Sequence, residues 1–206
     1  MRKIPQFEDS ENILTENLGQ FIESRGSSIY SLPPVDGIVL STAQSLPGCC
    51  VAGGAALALF TGEINRIKDW DLFFTSEPAV EEARRIFEGR QFKEAGTSPF
   101  CKIYTKHPVI VQLVTRSYYP TIGHIFADFD FSVCCVAVSG QDICYTRTSK
   151  KHIKDRKYDL IRAEDAALCL KRIARYGEKG FFPSDDFAED FVYAVRNGLP
   201  LRREFY

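Results

Sequence analysis

The chain has no excess of either charge sign: 26 Lys and Arg against 27 Asp and Glu leave a formal net charge of −1. A surface so balanced exerts no global pull on nucleic acid, and any such binding needs a local patch. Long apolar runs are missing too. The longest, Cys49 to Phe60, contains two glycines and is too short to span a bilayer, so no membrane partner is expected. Histidines are few, and none of His107, His124 and His152 flanks a cysteine at zinc-ligand spacing. The seven cysteines include no C-x-x-C: Cys49-Cys50 and Cys134-Cys135 are adjacent pairs in strand-like apolar runs, and Cys101, Cys144 and Cys169 stand singly. This pattern favours buried, reduced thiols over a metal site or a disulfide framework. The start is polar after Met1-Arg2-Lys3, with no visible signal peptide, which makes a cytoplasmic protein the expectation. Internal repeats, low-complexity tracts and heptad arrays are absent as well.

What is present is ordinary globular material: 206 residues, 45% hydrophobic and 26% charged, enough for one sizeable core or a domain with a small appendage. Ser10 can cap a first helix carrying Ile13, Leu14, Leu18, Phe21 and Ile22 on one face and stopping at Gly26. Residues 27–37, rich in Ser, Pro and Gly, read as a loop. Cys49 to Ala52 is a strand running into Gly53-Gly54, followed by a helix from Ala55 to about Phe60, a polar turn, and a strand opening at Asp69. Ser76 then caps a charged helix with Pro78 in its first turn, ending near Gly89. A hairpin of Phe100–Thr105 and Val109–Thr115 turns at Lys106-His107-Pro108, and an aromatic loop at 117–120 leads to a short helix near Ile122–Ala127. Phe129 to Val138 is expected as one strand, turned back by Gly140 into Ile143–Thr148. Two helices, about Ala163 to Tyr176 and Ser184 to Asn197 with Gly198 at the stop, close the chain. The expected class is α+β, a mixed β-sheet with helices packed mainly on one face. The segments divide as 1–47, an N-terminal helix and loop; 48–160, a core; and 161–206, C-terminal helices.

Three constellations carry chemistry. In the first, strand alternation puts Asp69 and Asp71 on one face at the mouth of the apolar strand Leu72-Phe73-Phe74. Carboxylates there are costly unless paired or metal-bound, and two of them a strand repeat apart suit a hard divalent cation, Mg²⁺ or Mn²⁺. Gly53 and Gly54 let a backbone turn approach a phosphate, and the helix start behind them favours negative charge. This ensemble describes transfer of a nucleotidyl or phosphoryl group. The second is a carboxylate in the apolar run Phe129 to Ala137: Asp130, with Asp128 two residues earlier as a competitor, either capping a turn or joining the pair. The third is the helix bearing Lys171, Arg172 and Arg175, with Leu168, Cys169, Ile173 and Tyr176 as a core-facing stripe. Its cations form either a solvated face or a triphosphate contact. The basic stretch 147–157 reads as a solvated loop or a nucleic-acid backbone contact.

In this order the constellations resemble the polymerase-β-like nucleotidyltransferase superfamily, with closest likeness to the head domain of bacterial CCA-adding enzymes and poly(A) polymerases. Gly53, Gly54, Asp69 and Asp71 match its opening motif, Asp130-Phe131-Ser132-Val133-Cys134-Cys135 looks like its Arg-Arg-Asp-Phe-Thr-Ile-Asn-Ala, and Leu170 to Tyr176 looks like its arginine-bearing neck helix. The resemblance implies a nucleotidyltransferase moving a nucleoside monophosphate from a nucleoside triphosphate such as ATP to a hydroxyl of RNA, a small molecule or a protein. It implies Asp69, Asp71 and Asp130 as the carboxylate set on the metal, favouring Asp130 over Asp128. It implies Gly53 and Gly54 for the phosphates, with Lys171, Arg172 and Arg175 neutralising the departing pyrophosphate. The family's Gly-Gly-x-Val-Arg-Asp is here Gly53-Gly54-Ala55-Ala56-Leu57-Ala58, and its Asn is Cys134. These departures imply the alternative, a catalytically degenerate module that binds nucleotide or protein.

Overall fold

A computed structural model describes residues 13–163, 165–196 and 201–202. Within them the chain opens on a strand where the periodicity had suggested helix. β1 (Ile13–Asn17) leads into α1 (Leu18–Glu23), which starts there because the Asn17 side chain accepts the Gln20 amide hydrogen. Leu18, Phe21 and Ile22 are buried as expected, while Ser10, the expected cap, lies outside the described residues. The segment expected as loop is one only in part: after a 3-10 turn at Ile29–Ser31, α2 (Pro34–Ser45) begins on a proline. Proline is preset for the first helical position, where the missing N–H would have had no partner.

β2 (Cys49–Ala52), α3 (Gly53–Thr61), β3 (Trp70–Phe74) and α4 (Glu77–Gly89) follow the expected order. β4 (Lys93–Thr97), not expected from its polar sequence, precedes the hairpin of β5 (Cys101–Lys106) and β6 (Val109–Val114), and α5 is Ile122–Ala127. The long strand expected over 129–138 is broken. Ser132–Cys134 form a 3-10 turn, and only β7 (Val136–Ser139) is strand, pairing onward to β8 (Asp142–Thr146). The basic stretch is not a loop but α6 (Arg147–Asp155), fixed by a reciprocal cap in which Thr146 and Ser149 exchange side-chain and backbone bonds. β9 (Lys157–Tyr158), β10 (Arg162–Ala163), α7 (Ala166–Glu178), β11 (Phe182–Pro183), α8 (Phe187–Arg196) and β12 (Leu201–Arg202) complete the described chain, and Gly198, the expected stop, lies outside it.

Residue contacts divide the chain into two compact units. One comprises Thr15–Ile122 and Val136–Cys144; the other comprises the described residues of Met1–Leu14, Gly123–Cys135 and Tyr145–Tyr206. The main sheet has the strand order β1-β8-β7-β2-β3-β6-β5-β4. It is mixed: β3 is antiparallel to β2 and parallel to β6. In the first unit, Trp70, Leu72 and Phe74 share one face with Val111 and Leu113, and all are buried. α2 covers this face, and the Trp70 indole Nε1 donates to Asp36 Oδ1 at 2.7 Å. α4 lies on the same face further out, where Tyr104 OH donates to Glu88 Oε1 and Lys102 Nζ to Glu81 Oε1. The core of the second unit is aromatic: Phe131 and Tyr158 stack at 4.7 Å, with Tyr176 and Phe187 packed edge-on against Phe131. Among the described residues no helix is long and apolar enough to cross a membrane.

Candidate functional site

The antiparallel register of β2 and β3 sets Ala52 opposite Asp71. The chain leaves β2 through Gly53 at φ +70°, a left-handed backbone that costs L-residues about 1–2 kcal/mol. It then enters α3 directly, with no side chain capping the helix start. The turn is tight against the neighbouring strand: a Cβ built on Gly53 would lie 2.7 Å from Asp71 Oδ2. Glycine meets the left-handed conformation at no steric cost, and any side chain here would have to displace the Asp71 carboxylate. The result is a carboxylate oxygen lodged beside a Gly-Gly turn and a helix N-terminus.

Asp69 lies one residue before β3, where the backbone ladder does not dictate its direction. Gln112 does: in the parallel pairing of β3 and β6 it is the register partner of Asp71, and its Nε2 donates to Asp69 Oδ2 at 3.3 Å. Register partners on adjacent strands project to the same side of a sheet. Asp69 and Asp71 therefore share the face opposite Trp70 and Leu72. Both carboxylates are half-buried, as are Gly53 and Gly54. Further along the same face the Phe73 ring meets Tyr119 edge-on, anchored where the Tyr119 amide donates to the Phe74 carbonyl at 2.8 Å.

Two carboxylates on one face beside the Gly53 turn offer the hard oxygen donors that Mg²⁺ or Mn²⁺ takes, so the residues suit such an ion. Among the described residues no group of three or more His, Cys, Asp or Glu side chains is gathered to hold a metal; the arrangement in this unit is a pair.

The remaining expected residues lie in the other unit. Asp130 is ion-paired with Arg172 of α7, and Asp128 with Arg162 of β10. Asp130 also supplies its carbonyl oxygen to the amides of Ile161 and Arg162. α7 is capped by Asp165, whose side chain accepts the Leu168 amide hydrogen. Cys169 and Tyr176 bury as the expected stripe requires, but Leu168 is 44% exposed and drops out of it. Lys171 and Arg175 are exposed on α7, and the Lys179 ammonium lies over the Tyr176 ring. Burial raises the Cys134 thiol to about 11, and its sulfur lies 3.0 Å from Tyr176 OH. The broken strand beside Asp130 is held by Ser132. Its amide donates to the Asp159 carbonyl, its hydroxyl oxygen accepts the Asp159 amide, and that hydroxyl lies 2.7 Å from His152 Nδ1.

Sequence reasoning missed Gln112. The signal available was one amide in the otherwise apolar strand Val109-Ile110-Val111-Gln112-Leu113-Val114.

Known proteins resemble this chain at two levels. The model of the Gad2: Gabija anti-defense 2 family protein matches residues 17–156. The fold resembles the Thermotoga maritima CCA-adding enzyme complexed with tRNA, at 14% identity and TM-score 0.65, over 90% of this chain and 46% of that one. It resembles a CCA-adding enzyme in complex with ATP at 13% identity and TM-score 0.67, over 90% and 47%. A tRNA nucleotidyltransferase complexed with a primer tRNA and an incoming ATP analogue matches at 18% identity and TM-score 0.53, over 74% and 48%. The chain spans about half the length of these neighbours. No curated protein sequence matches it. The fold is that of the polymerase-β-like nucleotidyltransferases, an α+β mixed sheet with helices, as the motif resemblance implied.

Proposed function

The chain belongs to the Gad2, Gabija anti-defense 2, family, and we propose that it is a metal-dependent nucleotidyltransferase moving a nucleoside monophosphate from a nucleoside triphosphate to a hydroxyl acceptor. One observation carries the reading: the Asp71 carboxylate lies against Gly53 while Gln112 draws Asp69 to the same face.

In this reading Asp69 and Asp71 hold Mg²⁺ or Mn²⁺. When bound, the cation neutralises triphosphate charge and stabilises the attacking and leaving oxygens. The backbone N–H groups at Gly53, Gly54 and the start of α3 receive phosphate oxygens, which the helix dipole favours. The acceptor hydroxyl gives up its proton to solvent as its oxygen bonds to the α-phosphorus, the bond from the α-phosphorus to the α,β-bridging oxygen breaks, and pyrophosphate leaves. The motif resemblance adds Asp130 to the carboxylate set and assigns Lys171, Arg172 and Arg175 to the pyrophosphate. The structural neighbours include complexes with tRNA, ATP and CTP, which supports a nucleotide donor and an RNA acceptor. The family's name adds a component of the Gabija defense as a candidate acceptor.

The test is incubation with each nucleoside triphosphate labelled at its α-phosphate and Mg²⁺, alone, with total RNA and with the Gabija components. The expected outcome is label on one acceptor, lost in Asp69→Ala and Asp71→Ala. Nucleotide binding without label transfer to any acceptor would favour the degenerate binding module.

A further inference from the structure

We infer that Gln112 is a positioning residue for the carboxylate pair, fixing the orientation of Asp69 rather than touching substrate; the inference rests on the metal-dependent reading above. Asp71 is oriented by its place in the β3 ladder and by the wall of the Gly53 turn. Asp69 lies one residue outside the strand, and any side-chain donor that holds a ligating carboxylate in place lowers the entropy it loses on binding a cation. The Gln112 amide supplies an orienting donor at 3.3 Å.

The other end of that amide is also spoken for. Cys101 on β5 presents its thiol to Gln112 Oε1 at 3.9 Å. Cys101 is itself fixed by Ser98, whose hydroxyl oxygen accepts the Phe100 and Cys101 amides at 3.1 Å each and lies 3.5 Å from the sulfur. A weak donor thus faces the amide oxygen and an anion faces the amide nitrogen, which selects one of the two amide orientations. The residue type follows. Glutamate at this position would set a second anion against Asp69, and an apolar residue would supply no hydrogen. On β6 the flanking Val111 and Leu113 are fully buried on the opposite face, so the polarity of Gln112 belongs to the carboxylate side of the sheet.

Partners that orient a ligating carboxylate are worth about 10- to 100-fold in metal affinity when removed. The test is Mn²⁺ titration monitored by the free-ion paramagnetic resonance signal, with a non-hydrolysable nucleoside triphosphate present, alongside thermal melting. Wild type is compared with Gln112→Met, Gln112→Asn, Asp69→Ala and the double variant Q112M/D69A. Both Gln112 variants are expected to bind Mn²⁺ about 10- to 100-fold more weakly at unchanged melting temperature, and the double variant no more weakly than Asp69→Ala. Methionine keeps the length without the donor and asparagine keeps the donor without the reach, so either alone carries the test if the other fails to fold. Unchanged affinity, a lowered melting temperature with unchanged affinity, or additive losses in the double variant would overturn the inference. A wild type that binds no Mn²⁺ removes the metal-dependent reading itself, a different result from variants that match a binding wild type.

Discussion

Asp71 occupies the space that a side chain on Gly53 would need: the missing Cβ would stand 2.7 Å from its Oδ2. Gly53→Ala therefore combines a left-handed backbone at φ +70° with a steric conflict against a partly packed carboxylate. The expected cost is about 1–3 kcal/mol of stability, with Asp71 displaced from the turn. Chemical denaturation should show the loss, and label transfer should fall further than the stability loss explains. A fully active Gly53→Ala would separate the turn from the chemistry.

Arg172 and Arg175 lie three residues apart on α7 but are expected to fail differently. Arg172 pairs with Asp130, whose side chain is only 13% exposed, while Arg172 itself is 42% exposed. Its removal leaves a mostly buried carboxylate uncompensated, at about 1–2 kcal/mol once solvent screening at the open end is allowed for. A double-mutant cycle with Asp130→Asn should return most of that as coupling. Arg175→Ala, on the exposed side of the helix, should leave the protein folded. If α7 contacts the triphosphate, it should weaken binding of a non-hydrolysable nucleotide about ten- to a hundredfold. Equal affinities would remove α7 from the site and leave the carboxylate pair standing.

Much of this was legible in the chain, and the failures have physical causes. Paired glycines after an apolar strand, then Asp-x-Asp before Leu72-Phe73-Phe74, encode their elements locally, and those elements are found where expected. β4 was not legible because Lys93-Glu94-Ala95-Gly96-Thr97 has no strand-like alternation; its backbone pairing with β5 makes it a strand. α6 was read as a loop because its inward side is only Ser149 and Ile153, and because its cap uses Ser149 where the usual signature has Glu or Gln. Ile13 and Leu14 fitted a helical stripe equally well as a strand, and the Asn17 cap decided between them. At the candidate site, strand alternation put Asp69 and Asp71 on one face, but Gln112 could not be named, since cross-strand register is a tertiary property.

The sole tryptophan offers a direct check on how β3 is seated. Its indole N–H donates to Asp36 Oδ1 at 2.7 Å from the helix that covers this face, and both groups are buried. Asp36→Ala leaves the buried N–H without that acceptor, at an expected cost of about 1–3 kcal/mol. Urea denaturation followed by tryptophan fluorescence should show a lower midpoint and an unchanged slope. No change would mean that water replaces Asp36 and that α2 is held by packing alone.

Tyr158 gives the pH dependence its clearest handle. It is fully buried and stacked on Phe131, and its hydroxyl has no hydrogen-bond partner among the described residues. Burial pushes its phenol up to about 12. The same cause raises Cys50 and Cys169 to about 12 and Cys134 to about 11. For each of these groups the folded state favours the proton. Their effect on stability is therefore constant below the unfolded value, near 9 for thiols and 10 for phenols. It turns against folding as pH rises through that value towards the folded one, because the unfolded chain releases protons first. Melting temperature is thus expected to hold steady to about pH 8.5 and then fall steeply. Tyr158→Phe removes both an unsatisfied buried hydroxyl and one alkaline-sensitive group. It should leave the protein as stable as wild type or up to about 1–3 kcal/mol more stable at neutral pH, with a shallower decline above pH 10. A Tyr158→Phe protein that is less stable at neutral pH would mean that the hydroxyl holds a bound water in the aromatic core.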